Sequence, residues 1–444
     1  MRAREELVIA PGRARDERRS LRAHAAGLRH RVMRRHVVVA GVLDAALSSL
    51  ASFAVGLYAA RSLDPVLLGG YALAAAAWGL AATVPAQLAF TPLEIVAVSH
   101  RQPARLRFLR HSLMLGGLPT FLPALAIPAW MLFAPRTIPT NVAIGLTVTG
   151  VATAMVSPLQ DHVRRMLHIA GVSWCAALVS VIQLVVAAAG LAAFSLAGWP
   201  PWWTPFGALA LANLASLATG LVLAKRREHA GAVFPAIRLT EVMRSGRWLL
   251  LTSLVPTAAA FIASAVTARL GGAAILGHAE VARLSGQPLL VLATGLSATL
   301  GPGIVAAAQT REPGRARRVS TLFIAFIVVA AGVYLALVGG KWRWNPLARL
   351  LPNAYLIPGL VAATVLANLT HGISFPARSE VLGAGKEVAL TKVELVGNAV
   401  RVSIAGAAGV LGAFVIPCGV LAVGVVRWLG CRLVLRSYYA AKVP

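Results

Sequence analysis

Residues 169–224 read IAGVSWCAALVSVIQLVVAAAGLAAFSLAGWPPWWTPFGALALANLASLATGLVLA, 56 residues without one Asp, Glu, Lys or Arg. A helix needs roughly 20 apolar residues to cross a hydrocarbon core of about 30 Å. The stretch therefore holds two crossings, 169–195 and 204–224, joined by a connection rich in Trp and Pro. Leu284 to Thr310 supplies a further 27 uncharged residues. Soluble cores are not built from such runs. They are membrane spans.

Working outward, the whole chain follows the same pattern. Of 444 residues, 58% are hydrophobic and 13% charged, with mean hydropathy +0.74, whereas soluble chains carry about 25% charged residues. Apolar windows and their breakers predict twelve spans: 37–60, 66–93, 112–134, 141–163, 169–195, 204–224, 248–268, 278–309, 319–340, 352–377, 388–408 and 411–432. Pro119, Pro123 and Pro128 predict kinks in the third. Connections assigned to the cytosol hold 34 of the 42 Lys and Arg, and the outer ones hold six: Arg61, Arg136, Arg269, Lys341, Arg343 and Arg349. That asymmetry accounts for the net charge of +27 without a nucleic-acid partner. It places both termini in the cytosol and the protein in the cytoplasmic (inner) membrane. Trp199, Trp202, Trp203, Trp342 and Trp344 fall on outer connections, where amphipathic rings favour the interface. Cys175, Cys418 and Cys431 lie in or beside apolar segments and read as small hydrophobes.

Internal repeats divide the chain. Thr91-Pro92 followed by Arg101-Gln102-Pro103-Ala104-Arg105 returns as Gly301-Pro302 followed by Arg311-Glu312-Pro313-Gly314-Arg315, 210 residues later. Ala60-Arg61 with Gly70 returns as Ala268-Arg269 with Gly277, and Leu167 with Ala170-Gly171 returns as Leu382 with Ala384-Gly385. The expected organisation is a basic cytosolic tail (1–36), a six-helix bundle (37–224), a basic linker (225–247), a second six-helix bundle (248–436) and a short cytosolic tail (437–444). An even number of spans per half makes the repeats parallel, with a cleft between them that rocking opens to either side. The fold class is an all-α polytopic membrane protein of two parallel six-helix bundles.

Ala60-Arg61-Ser62-Leu63-Asp64-Pro65 and then Gly70-Tyr71-Ala72-Leu73 resemble the A-R-x-L-G-P-x-x-x-G-x-Y-x-L signature of the oligosaccharide flippases. These belong to the multidrug/oligosaccharidyl-lipid/polysaccharide exporter (MOP) superfamily. Leu270-Gly271, Leu276-Gly277, Ala282-Arg283-Leu284 and Pro302 resemble that family's second repeat. Asp64 stands where Gly is usual, one extra residue separates Pro65 from Gly70-Tyr71, and His278 replaces an aromatic. The resemblance implies a flippase for a lipid-linked oligosaccharide of polyprenyl pyrophosphate type in cell-surface polysaccharide biosynthesis. Its partners would be a polysaccharide polymerase, glycosyltransferases and membrane lipids. A drug exporter of the same superfamily and a major facilitator are the transporter alternatives, although Ser99 to His111 lacks the acid of the facilitators' G-x-x-x-D-R pattern.

Ionisable groups inside spans mark cavities or partners. Glu394, Asn398 and Arg401 share one helix face at i, i+4 and i+7, as do Glu280, Arg283 and Gln287 at i, i+3 and i+7. Arg401, Arg283 and Asn398 are the candidates for an anionic headgroup, since guanidinium bonds phosphate bidentately; ion pairing within the bundle is the competing role. Asp44, Glu394 and Glu280 are the candidate coupling or cavity acids. Asp44 reads either as a site for a coupling proton or sodium ion or as the partner of a basic residue. Glu94 and Asp161 read as ion-pair partners at the cytosolic rim, Arg61 and Arg269 as anchors at the outer headgroup level, and His371 as a satisfied interior histidine. No Walker sequence and no large outer loop with paired acids is present, so neither ATP hydrolysis nor a glycosyltransferase or polymerase is expected. No cofactor or metal is called for.

Overall fold

The computed structural model describes residues 39–99, 102–228, 238–339 and 344–440. The basic tail expected over 1–36, the middle of the linker (229–237) and Trp342 lie outside them. The described residues form helices and no strands. The first half comprises α1 (Val39–Ser62), α2 (Pro65–Pro85), a π turn (Ala86–Phe90), α3 (Thr91–Ser99), α4 (Gln102–Ala124), α5 (Thr140–Ile169), α6 (Ser173–Leu196) and α7 (Thr204–Arg227). The second comprises α8 (Leu239–Leu270), α9 (Ala273–Gln309), α10 (Pro313–Val338), α11 (Pro346–Leu350), α12 (Leu360–Gly383), α13 (Glu387–Ala405), α14 (Ala408–Leu411) and α15 (Val415–Ala440).

Nine of the described helices are long and apolar enough to cross a membrane, and two bent pairs raise that to eleven. One bent pair meets at Pro119 with 49° between its arms, and the other lies in α9 at 45°. The remaining expected span is α13, 19 residues long. It carries Lys392, Glu394 and Arg401, too many charges for an apolar crossing by composition alone. Several spans outrun their expected ends. α5 continues past 163, and α7 and α8 consume both ends of the linker expected over 225–247. Arg378 and Arg427, counted from sequence among the cytosolic loops, stand inside α12 and α15.

Local chemistry sets the breaks. The Asp64 carboxylate accepts from Val66 N and Leu67 N, both at 2.9 Å, and Pro65 begins α2, so the connection from α1 is a compact cap. α5 and α12 end alike: Gly171 (φ 78°) and Gly385 (φ 65°) adopt the left-handed conformation that glycine tolerates. Val172 N then bonds Leu167 O, and Lys386 N bonds Val381 O. The repeat visible in sequence is thus a repeat of helix ends.

The two halves pack through α2 against α8 and α9, and the largest buried apolar cluster runs across that seam, from Leu68 and Phe206 to Leu276 and Tyr355. A Cβ on Gly69 would lie 1.9 Å from Ala273 O, and a Cβ on Gly277 would lie 2.2 Å from Pro65 O. The mate of Gly277 is therefore Gly69. Gly70, paired with Gly277 from sequence, instead faces Ile138 and Leu146 of its own bundle.

Candidate functional site

In the second half, α9, α12, α13 and α15 each place polar side chains toward one point. A cavity of about 200 Å³ is lined there by Arg283 and Gln287 (α9), Asn368 and His371 (α12), Asn398 and Arg401 (α13) and Arg427 (α15). Close backbone approach makes this convergence geometrically accessible. Gly424 sits against His371 N, where a Cβ would lie at 2.9 Å, and Gly286 leaves room for Asn368, whose Nδ2 donates to Gly286 O at 2.9 Å.

The charges divide into satisfied and unsatisfied groups. Arg283 clasps Glu280 through Nε (2.7 Å) and a terminal nitrogen (2.6 Å). Arg427 donates to Glu394 Oε2 at 2.7 Å, with both residues buried, and its other terminal nitrogen lies 3.2 Å from His371 Nδ1. Arg378 approaches the second oxygen of Glu394 at 3.9 Å. Arg401 has no ion pair among the described residues, and three guanidinium donors, Arg401 Nε, Arg427 Nε and Arg378 Nε, lack hydrogen-bond partners, as do two acceptors, Glu394 Oε1 and Asn398 Oδ1. Four guanidiniums thus surround two carboxylates. The surplus is positive, and desolvated donors without partners are costly. Such a pocket is matched by an anion that supplies the acceptors.

A second cavity of about 260 Å³ shares Arg283 and Arg401 and continues to the seam, lined by Ala72, Ala75 and Trp78 of α2, by Ala260 of α8 and by Glu280 of α9. A third, of about 660 Å³ and mostly apolar, lies between α1 and α9 and shares Leu290 with the first. The cationic pocket therefore borders the interface of the halves on two sides, at α2 and at the apolar groove between α1 and α9.

The three headgroup candidates chosen from sequence, Arg283, Asn398 and Arg401, line one cavity. The candidate acids separate. Glu280 and Glu394 hold arginines at its edge. Asp44 lies in the other half, where its carboxylate accepts from Arg164 Nε (3.0 Å) and a terminal nitrogen (2.8 Å), from Ser180 Oγ (2.5 Å), and contacts His168 Nε2 (2.9 Å). Asp44 thus contacts two basic residues, Arg164 and His168. Glu94 meets His162 Nδ1 at 2.8 Å and Arg165 at 3.5 Å, and Asp161 meets Arg164 at 3.3 Å. Arg61 and Arg269 bond backbone carbonyls of opposite halves, Arg349 O at 3.2 Å for the first, Phe133 O at 3.5 Å and Leu132 O for the second. Arg427, Arg378 and His162 were missed. In sequence a cation near the end of an apolar window looks like a loop charge, although Arg427 falls within the last expected span, 411–432.

No family of known sequences matches the chain, and no curated protein matches it in sequence. Solved structures do match in shape. An inward-facing multidrug resistance MATE family transporter of the MOP superfamily aligns with TM-score 0.66 at 15% identity, covering 89% of this chain and 96% of that one. An outward-facing MATE family transporter of the same superfamily aligns with TM-score 0.63 at 15% identity, covering 91% and 97%. A MOP superfamily transporter from Pyrococcus furiosus, described as having a binding pocket of reverse polarity that suggests a different function, aligns with TM-score 0.59 at 16% identity, covering 90% and 95%. The fold is that of the MATE transporters.

Proposed function

We propose that this chain is an alternating-access transporter that exports an anionic small molecule across the cytoplasmic membrane, its basic loops facing the cytosol. The observation that carries this reading is the cavity shared by Arg283, Arg401 and Arg427, in which Arg401 has no counter-ion among the described residues. The MATE fold supports transport by rocking of two bundles. Charge selects the substrate class, because an apolar cation would meet uncompensated guanidiniums there, while a carboxylate, sulfate or phosphate would satisfy them. Proteoliposomes containing the purified chain should accumulate or exchange labelled organic anions, and Arg401→Gln should lower that flux by about 10–100-fold. Transport of organic cations that survives Arg401→Gln would overturn the reading.

A second reading is that of the lipid-linked oligosaccharide flippase, served by a glycosyltransferase and a polymerase. The apolar groove of about 660 Å³ between α1 and α9 favours it, since it meets the cationic cavity at Leu290 and could hold a hydrocarbon chain beside a bound headgroup. Accumulation of polyprenyl-linked oligosaccharide on the cytosolic side after gene deletion would select this reading. Unchanged surface glycan, with anion flux in liposomes, would select the first.

A further inference from the structure

The end of α15 and the start of α10 form a groove of about 900 Å³ that shares no lining residue with the three cavities above. Arg317 comes from the first turns of α10, and Arg432 and Arg436, one turn apart, come from the last turns of α15. None of the three forms an ion pair among the described residues. The groove also holds one carboxylate, Glu380, which accepts from the Tyr439 hydroxyl at 2.9 Å, so the three guanidiniums remain in excess. The other wall is apolar and open: Trp428, Leu429 and Leu433 are 37%, 49% and 64% exposed, and Arg432 lies 6.0 Å from the Trp428 ring. Leu429, Leu433 and Arg436 follow one face of α15 at i, i+4 and i+7. Apolar surface therefore passes into a guanidinium cluster over two turns of one helix.

We propose that this groove holds the headgroup of a dianionic phospholipid drawn from the adjacent leaflet, with its acyl chains along Leu429 and Leu433. Guanidiniums pair bidentately with phosphate oxygens, and two phosphates match three cations better than one. Basic pockets between helices at the cytosolic surface concentrate such lipids. Trp428 supplies the amphipathic ring suited to that depth. A soluble phosphate would satisfy the arginines but leave the apolar wall without a partner, and the groove's shape favours the lipid for that reason. The site is independent of the transported substrate, so it stands or falls separately from the transport reading.

Native mass spectrometry of the full chain in mild detergent, with cardiolipin or phosphatidylcholine added, tests this. The wild type should retain one cardiolipin in preference to phosphatidylcholine, and R317Q/R432Q/R436Q should lower that occupancy by about tenfold or more. Arg436→Gln alone, at an exposed position, should lower it several-fold and covers the case in which the triple variant does not fold. Equal cardiolipin occupancy in wild type and Arg436→Gln, or equal retention of both lipids by the wild type, overturns the proposal. Displacement of cardiolipin by inorganic pyrophosphate at matched concentration also overturns it and assigns the groove to a soluble anion.

Discussion

Gly69 and Gly277 make the same contact from opposite halves. Gly69 rests on the carbonyl of Ala273, Gly277 rests on the carbonyl of Pro65, and each residue stands 208 positions from its counterpart. The seam is therefore closed at this end by two backbone contacts related by the internal repeat. At both positions an added methyl group would overlap a peptide oxygen, which neither helix can yield without separating. Gly69→Ala or Gly277→Ala should hold this end, the outer one in the proposed topology, apart. A cysteine placed at Ala72 should then react faster with an impermeant thiol reagent added outside, and transport should fall. Labelling and flux equal to the parent would show that the contact does not gate the outer end.

Arg61 and Arg269 extend that symmetry to the surface. Each ends the first span of its half and reaches a backbone carbonyl of the opposite half, in α11 for Arg61 and at Leu132 and Phe133 for Arg269. A hydrogen bond to a charged donor contributes about 1.5–3 kcal/mol when well protected, and less where exposed as here. R61Q/R269Q should therefore shift the balance toward an open outer end by a few-fold rather than unfold the protein. Distance measurements between spin labels placed near Phe133 and near Arg349 check this. An unchanged distance distribution would mean that the two arginines only meet headgroups.

Arg401 and Glu394 share a helix face and should respond oppositely. Glu394→Gln leaves Arg427 buried without its counter-ion and should destabilise by about 3–5 kcal/mol. Arg401→Gln removes a charge that has no partner, so thermal stability should hold or rise while anion flux falls by about 10–100-fold. Melting curves and flux on the same preparations separate the two effects. If Arg401→Gln melts earlier and transports normally, the guanidinium belongs to the structure and not to the substrate.

Most of this architecture was readable because hydrocarbon imposes a plain rule. Uncharged runs such as Ile169 to Ala224 have one solution, two helices joined by a short connection. Arg283, Asn398 and Arg401 were legible for the same reason, as polar groups in an apolar setting. Arg427 and Arg378 were not, because a cation near a span's end reads as a loop charge until its distant partner Glu394 is seen. The Gly69 register failed on a smaller ambiguity: two adjacent glycines leave the pairing to the helix phase, which pattern alone does not fix. Bonds such as that between Glu94 and His162, 68 residues apart, carry no local signal at all.

Asp44 and Arg164 provide the sharpest separation of architecture from activity in the first half. The carboxylate is buried, and Arg164 binds both of its oxygens while also reaching Ser48 Oγ at 2.7 Å. Arg164→Ala strands the acid among apolar helices, with only His168 and Ser180 to hold it, and should cost about 3–5 kcal/mol. Replacing both members as D44N/R164Q removes the stranded charge and keeps polar side chains of similar size, so much of that loss should return. The coupling between the two substitutions, read from melting temperatures of the singles and the double, should be about 2 kcal/mol or more. If stability is restored and flux is not, Asp44 also carries a coupling ion, because a purely structural pair would regain both together. If the double variant melts no higher than Arg164→Ala, the ion pair is not what stabilises this end of the bundle.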